Sequence, residues 1–189
     1  MDGSEGKGDV AGKGAPAALL TAVIQGVFSS QAWSGTPPSE TLSKVNQAII
    51  RRAIESRFCT AFYAVVHANG QMTYCNAGHN PPMLFTKTGV KRLEKGGTIL
   101  GLFELATFEE DTITVEPGDI LVAFSDGVTE ALSASGDEYG EDRLIACVES
   151  EKGKSLQELL DAIFISVREF CTGAVQSDDV TALVLRYDG

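Results

Sequence analysis

The sequence predicts an α+β protein built on antiparallel sheet, and three observations carry that expectation. Two helical stretches come first, a group of short strands at hairpin spacing follows, and two further helices precede a last strand; regular βαβ alternation, the mark of a parallel sheet, is absent. The chain has 189 residues, 43% hydrophobic and 22% charged, enough apolar material for a full core and far from the composition of a disordered chain. No repeat, heptad run or linker divides it, so one domain over residues 8–188 is expected, overlapping a Gly-rich lead over residues 1–14.

Taken in order, Gly3, Gly6, Gly8, Gly12 and Gly14 make that lead flexible unless something packs against it. Ala17, Ala18, Leu19, Leu20, Val23, Ile24, Val27 and Phe28 then form an apolar helix expected to be buried on most sides. After the Ser34-Gly35-Thr36-Pro37-Pro38 break, Leu42, Val45, Ile49 and Ala53 recur at helical spacing, with proline suited to the first turn. Phe58 to His67 is aromatic and β-branched, Ala68-Asn69-Gly70 is a turn, and Gln71 to Ala77 returns as the second strand of a hairpin. Met83-Leu84-Phe85, Thr112 to Val115, Ile120 to Phe124 and Val180 to Tyr187 are further strands between Gly, Pro and Asp turns. A short helix around Asp142 to Glu149 precedes a longer one, in which Ser155 and Glu158 make a capping box and Leu156, Leu159, Leu160, Ile163, Phe164 and Val167 line one face.

Charge narrows the partners. Fifteen Lys and Arg stand against 26 Asp and Glu, a net −11, which repels nucleic acid and anionic membrane surfaces at long range. No apolar run approaches the length of a membrane span, and the start has neither the basic nor the apolar region of a signal peptide, so a cytoplasmic location is expected. Cys59, Cys75, Cys147 and Cys171 are scattered without a C-x-x-C pair and read as reduced core residues.

Acidic residues fall beside small ones at three places: Gly8-Asp9-Val10-Ala11-Gly12-Lys13-Gly14, Ser125-Asp126-Gly127-Val128-Thr129-Glu130 and Ser177-Asp178-Asp179-Val180-Thr181. Asp126 follows one buried-looking strand directly, and Asp178-Asp179 directly precede another. Carboxylates at the ends of core strands repel one another unless a cation neutralises them, and hard oxygen donors suit Mg²⁺ or Mn²⁺. Taken singly, each reads first as a turn aspartate. Gly12-Lys13-Gly14 before a helix resembles a phosphate-cradling loop, but the G-x-x-x-x-G-K-[ST] spacing is absent and no nucleotide is inferred. His67 reads as structural and His79, in Asn76-Ala77-Gly78-His79-Asn80-Pro81-Pro82, as a loop organiser in preference to a proton-transfer group. No G-x-S-x-G elbow supports a serine hydrolase.

In this order the segment from Gly8 to Leu20, Asn76 to Pro82, the Glu116-Pro117-Gly118-Asp119 turn leading to Ser125–Glu130, and Asp178-Asp179-Val180-Thr181 resemble the SpoIIE/RsbU-type serine phosphatases of the metal-dependent PPM superfamily. The resemblance runs from about Gly8 to Tyr187. It implies an αββα four-layer sandwich of antiparallel sheets, two Mn²⁺ or Mg²⁺ ions, and catalysis by metal-bound water aimed at a phosphoserine or phosphothreonine. Asp9, Asp126 and Asp178 match the family's metal-ligating aspartates, Val10 would add its backbone carbonyl, and Asp179 ranks behind Asp178. Ala11 stands where distant eukaryotic-type relatives carry a histidine proposed as general acid. The family's domain ordinarily starts earlier, with strands bearing a further Gly-Asp motif, so this sequence resembles a domain lacking its first strands. By the resemblance the substrate is a phosphorylated anti-anti-sigma protein of the STAS type, in bacterial partner switching, with a sensor domain upstream. The alternative is a phosphatase-fold interaction module that binds a regulatory partner without turnover.

Overall fold

The computed structural model describes residues 3–10, 15–51, 58–174 and 178–189, with residues 3–10, 15–19, 32 and 33 described by their backbone alone. In chain order the elements are β1 (Gly3–Val10), α1 (Ala15–Ser34), α2 (Pro38–Arg51), β2 (Cys59–Val66), β3 (Gln71–Ala77), β4 (Met83–Thr86), β5 (Gly89–Arg92), β6 (Gly96–Gly97), β7 (Asp111–Thr114), β8 (Ile120–Phe124), α3 (Asp126–Thr129), α4 (Gly140–Glu151), α5 (Leu156–Phe170) and β9 (Ala182–Arg186). They group into two units, Met1–Pro81 with Leu93–Val115, and Pro82–Arg92 with Glu116–Asp188.

The first unit holds a five-stranded sheet. Strands β1, β2 and β3 run antiparallel in sequence, and the far edge of β3 is shared by β7 and the two-residue, parallel β6. The hairpin between β2 and β3 closes as its sequence requires: the Gly70 amide donates to His67 O, the His67 amide donates to Gln71 O, and Gly70 takes a φ of 80°. This is a three-residue loop whose last position needs the left-handed conformation that glycine adopts freely. Leu42, Val45 and Ile49 on α2 bury against Cys59, Ala61, Tyr63, Cys75 and Leu100, with Leu20 and Ile24 of α1 joining them.

Two expectations change here. Gly3–Val10, expected as flexible lead, is a strand in register with β2 from Gly3↔Val66 to Val10↔Cys59. Its eight residues have little strand propensity, so the ladder offered by the aromatic and β-branched β2 supplies the order. Helix α1 is not buried on most sides: Leu20 and Ile24 are buried, but Ala22, Gln25, Gly26 and Ser29 are exposed. Small residues give this helix a high mean hydropathy without the bulk that would demand burial. Gly12–Gly14, Ala11, Ala53 and Ser177 lie outside the described residues.

The second unit has its own sheet, ordered β5-β4-β8-β9 and antiparallel throughout. Its core joins Met83, Phe85, Ile120, Val122 and Phe124 to Leu144 and Val148 of α4 and Leu159, Ile163 and Val167 of α5. Helix α5 starts as the sequence predicts: Ser155 Oγ accepts from the Glu158 amide, and the Glu158 carboxylate accepts from the Ser155 amide at 3.0 Å. The Ser155 hydroxyl, which also donates to that carboxylate at 2.7 Å, and then the Ser155 amide hold the Glu158 carboxyl below its ordinary value. None of the four cysteines is in a disulfide; Cys59 and Cys75 are buried, and burial, reinforced by Glu110, pushes the Cys75 thiol up to about 12. No helix among the described residues is long and apolar enough to cross a membrane.

The Ser155→Ala variant is expected to lose about 1 kcal/mol in urea unfolding, the ordinary cost of an N-cap deletion. A carboxyl lowered in the folded state stabilises above its unfolded value, near 4.5, and loses that contribution as pH falls through its folded value. The gap between wild type and variant should therefore shrink on acidification below that range, and a gap that widened there would contradict the capping box.

Candidate metal and catalytic site

Strand β8 ends at Phe124, and the chain turns at once into the single helical turn of α3. Ser125, 5% exposed, sits at this corner and ties two segments together. Its amide donates to Thr181 O at 3.0 Å, its hydroxyl donates to Asp179 O at 2.9 Å, and the Thr181 amide donates back to the hydroxyl at 3.0 Å. The carboxylate-bearing residues on either side, Asp126 and the Asp178-Asp179 pair, are thereby held on neighbouring segments of one unit, just after β8 and just before β9.

Gly127 sets how closely the segments approach. A Cβ added there would stand 2.4 Å from Asp179 O and 2.9 Å from its carbonyl carbon, a contact that backbone atoms cannot relieve cheaply. The Asp-Gly pair that reads as a simple turn is thus a packing requirement. Asp126 is half-buried, and its Oδ1 accepts from the Gly127 amide at 2.9 Å. Asp178 and Asp179 are exposed, and Asp178 Oδ1 accepts from the Asp179 amide at 2.7 Å. The backbone carbonyl of Asp179 accepts from the Ser125 hydroxyl, which leaves its carboxylate uninvolved in the bridge.

The donors that would suit a hard divalent cation are the carboxylates of Asp126 and Asp178, on two segments whose close backbone approach Gly127 permits. Among the described residues no three His, Cys, Asp or Glu form a metal cluster. Asp9 stands in the other unit, on β1 opposite Thr60, with Val10 opposite Cys59; only their backbone is described.

In the first unit Asn76, which opens the Asn76–Pro82 motif, has a role that the sequence reading did not give it. Buried at the end of β3, its side chain accepts from the His79 amide at 2.8 Å and donates to His79 O at 2.9 Å and Leu93 O at 3.3 Å. The signal was there, an amide side chain three residues before a buried histidine at a loop. His79 Nδ1 lies 3.0 Å from Thr60 Oγ1, so the ring is tied to the strand that partners β1, in keeping with its reading as a loop organiser. Ser125 lay inside a quoted motif without a role.

Solved structures that match include phosphatase domains of the PP2C class. The PP2C domain of SiaA from Pseudomonas aeruginosa aligns with a TM-score of 0.82 at 19% identity, over 99% of this chain and 80% of that one, which establishes the fold and its α+β class. The family model described as Stage II sporulation protein E (SpoIIE) matches residues 6–188, and the chain belongs to that family. The phosphoserine phosphatase RsbU of Bacillus subtilis is 33% identical over 181 residues, 94% of this chain and 53% of RsbU. The chain thus spans about half of RsbU, and 20% of the protein IcfG of Synechocystis, to which it is 32% identical over 130 residues. Similar folds have been solved with metals: RsbX in complex with magnesium, at a TM-score of 0.63, 20% identity and covering 97% of this chain and 85% of that one, and the catalytic domain of PstP with two manganese ions, at 0.67, 13%, 97% and 89%.

Replacing Ser125 by Ala removes a buried hydroxyl that both donates and accepts, and should cost about 1–3 kcal/mol in chemical unfolding because the Asp179 carbonyl and Thr181 amide lose a partner. Gly127→Ala should cost a similar ~1–3 kcal/mol through overpacking. Unfolding midpoints equal to wild type in both variants would show that the two segments are not held as described.

Proposed function

We propose that this chain is a Mn²⁺- or Mg²⁺-dependent protein serine/threonine phosphatase domain. The observation that supports the proposal is the Ser125 bridge, with Gly127 at its close approach, which ties the segment after β8 to the segment before β9 and so favours reading Asp126 and Asp178 as a hard-donor pair. Asp126 and Asp178 would hold a divalent cation, and the family resemblance adds Asp9 and the Val10 carbonyl, with Asp179 as a further candidate. The similarity to RsbU, described as a phosphoserine phosphatase, supports the reaction.

A divalent cation at these carboxylates would act as a Lewis acid, lowering the pKa of water and offsetting phosphate charge. In the reaction a water oxygen bonds to phosphorus, the bond from phosphorus to the serine Oγ breaks, and the leaving oxygen takes a proton, giving serine and inorganic phosphate. Asp126 and Asp178 would serve by holding that cation in place, their negative charge balancing part of its own. Ser125 keeps their backbones in place. Neither His79 nor Ala11 is assigned to the leaving oxygen, which is left to solvent. The substrate we infer is a phosphorylated anti-anti-sigma protein of the STAS type, and the protein would act in sigma-factor regulation in the cytoplasm, with a sensor domain upstream.

Phosphate release from p-nitrophenyl phosphate and from a phosphoserine peptide should require added Mn²⁺ or Mg²⁺ and fall about 100-fold or more in Asp126→Asn. Titration calorimetry should show weaker Mn²⁺ binding in the same variant. A folded wild type without metal-dependent release would favour the non-catalytic interaction module.

A further inference from the structure

Beside Asp178, within the second unit, lies a cleft of about 490 Å³. Leu132, Phe164, Cys171 and Val180 give it apolar walls, and Arg168 and Asp178 stand at it as its charged groups. Two features separate this cleft from an ordinary surface depression. Gly127 and Asp178, which flank the Ser125 bridge, also line it, so it is continuous with the proposed metal site. The second feature is Arg168 itself.

In this acidic chain the cations of the second unit are committed. Lys87 pairs with Glu116, Arg92 with Glu141, Lys152 with Glu149 and Lys154 with Glu151. Arg143 lies 4.6 Å from the Phe170 ring centroid and donates to Tyr139 O, Arg186 donates to the carbonyls of Lys152 and Lys154, and Lys91 also has a partner. Arg168 is exposed, and among the described residues its guanidinium has no carboxylate, carbonyl or ring to hold it. Its place in the last turn of α5 suits the helix dipole, but that role does not need the head group at a cleft.

Resting on the phosphatase reading above, we propose that this cleft is a specificity subsite for the substrate protein: it takes an apolar side chain near the phosphorylated residue, and Arg168 pairs with a neighbouring carboxylate of the same segment. The apolar walls suit a branched aliphatic side chain, and the unpaired guanidinium supplies the charge complement that selects an acidic neighbour. Arg168 is a specificity residue and takes no part in the bond-breaking step. It also gives an acidic domain a means to recognise an acidic substrate segment.

Synthetic phosphoserine peptides test this, each carrying Leu-Glu, Leu-Gln or Gly-Glu two residues before or, in a second series, two residues after the phosphoserine. In one of the series, wild type should prefer Leu-Glu over Leu-Gln about fivefold in kcat/KM, the scale of an exposed ion pair. Arg168→Ala should bring that ratio to unity while keeping the preference of Leu-Glu over Gly-Glu. Leu132→Ser should reduce the second preference and keep the first. Fluorescence anisotropy with labelled, unphosphorylated versions, without added metal, should give the same order of affinities and needs no turnover. An unchanged Glu over Gln ratio in Arg168→Ala, or no preference in either series, overturns the subsite. Failure of wild type to hydrolyse p-nitrophenyl phosphate or any peptide overturns the phosphatase reading instead, and the anisotropy then decides the subsite alone.

Discussion

The second unit depends on one hydroxyl. Ser125 stands where β8 stops, and its Oγ is at once donor to the Asp179 carbonyl and acceptor from the Thr181 amide, while its own amide continues the ladder to Thr181 O. A buried polar group tolerates that position only when satisfied, so the bridge is either complete or costly. Its completion forces the segment before β9 to enter beside the segment after β8. Acidic side chains that would separate if left to electrostatics are therefore fixed by backbone bonds made elsewhere. Gly127 completes the constraint, since any side chain there would push the Asp179 carbonyl away.

The same logic governs the first unit with different chemistry. There the buried Asn76 amide closes the Asn76–His79 loop in both directions and reaches Leu93 O, so one side chain determines where the chain leaves β3 and where it returns. On α2 another buried amide, Asn46, donates to Phe103 O and accepts from the Gly101 amide. Each of these loops is shaped by a polar group that could not have been left unpaired in the core. The hydrophobic clusters supply cohesion, and these few amides and hydroxyls supply the course of the chain between strands.

Elements with a strong period were legible in the sequence: α2, the β2–β3 hairpin, β8 and α5 with its capping box. Those that exist through their partners were not. Gly3–Val10 has no apolar alternation and is a strand because β2 offers a complete ladder; Gly89–Arg92 is an exposed edge beside β4; Gly96–Gly97 spans two residues. The last strand begins at Ala182, two residues later than its hydrophobicity suggests, since the backbone of Thr181 is used by Ser125. At the site the acidic motifs stood out because Asp beside Gly at a strand end is a local pattern. The bridging roles of Ser125 and Asn76 did not: Ser125 reaches a partner 56 residues away, and Asn76, beyond its local bonds to His79, also reaches Leu93 O 17 residues on, which a lone serine or asparagine does not announce.

Net charge carries a related lesson about scale. A value of −11 describes the far field and argues against polyanions, but it does not describe the surface that a bound molecule meets. In the second unit the cations are spent on carboxylates, carbonyls and one aromatic ring, so the acidic excess is greatest wherever no cation is nearby. Arg168 departs from that pattern, exposed at the C-terminal turn of α5 and beside apolar walls. A segment bound at the cleft lies within contact distance of that guanidinium, whereas exposed carboxylates farther than a Debye length away are largely screened from it. An acidic chain can therefore remain selective for an acidic segment at one place while repelling polyanions over the rest of its surface.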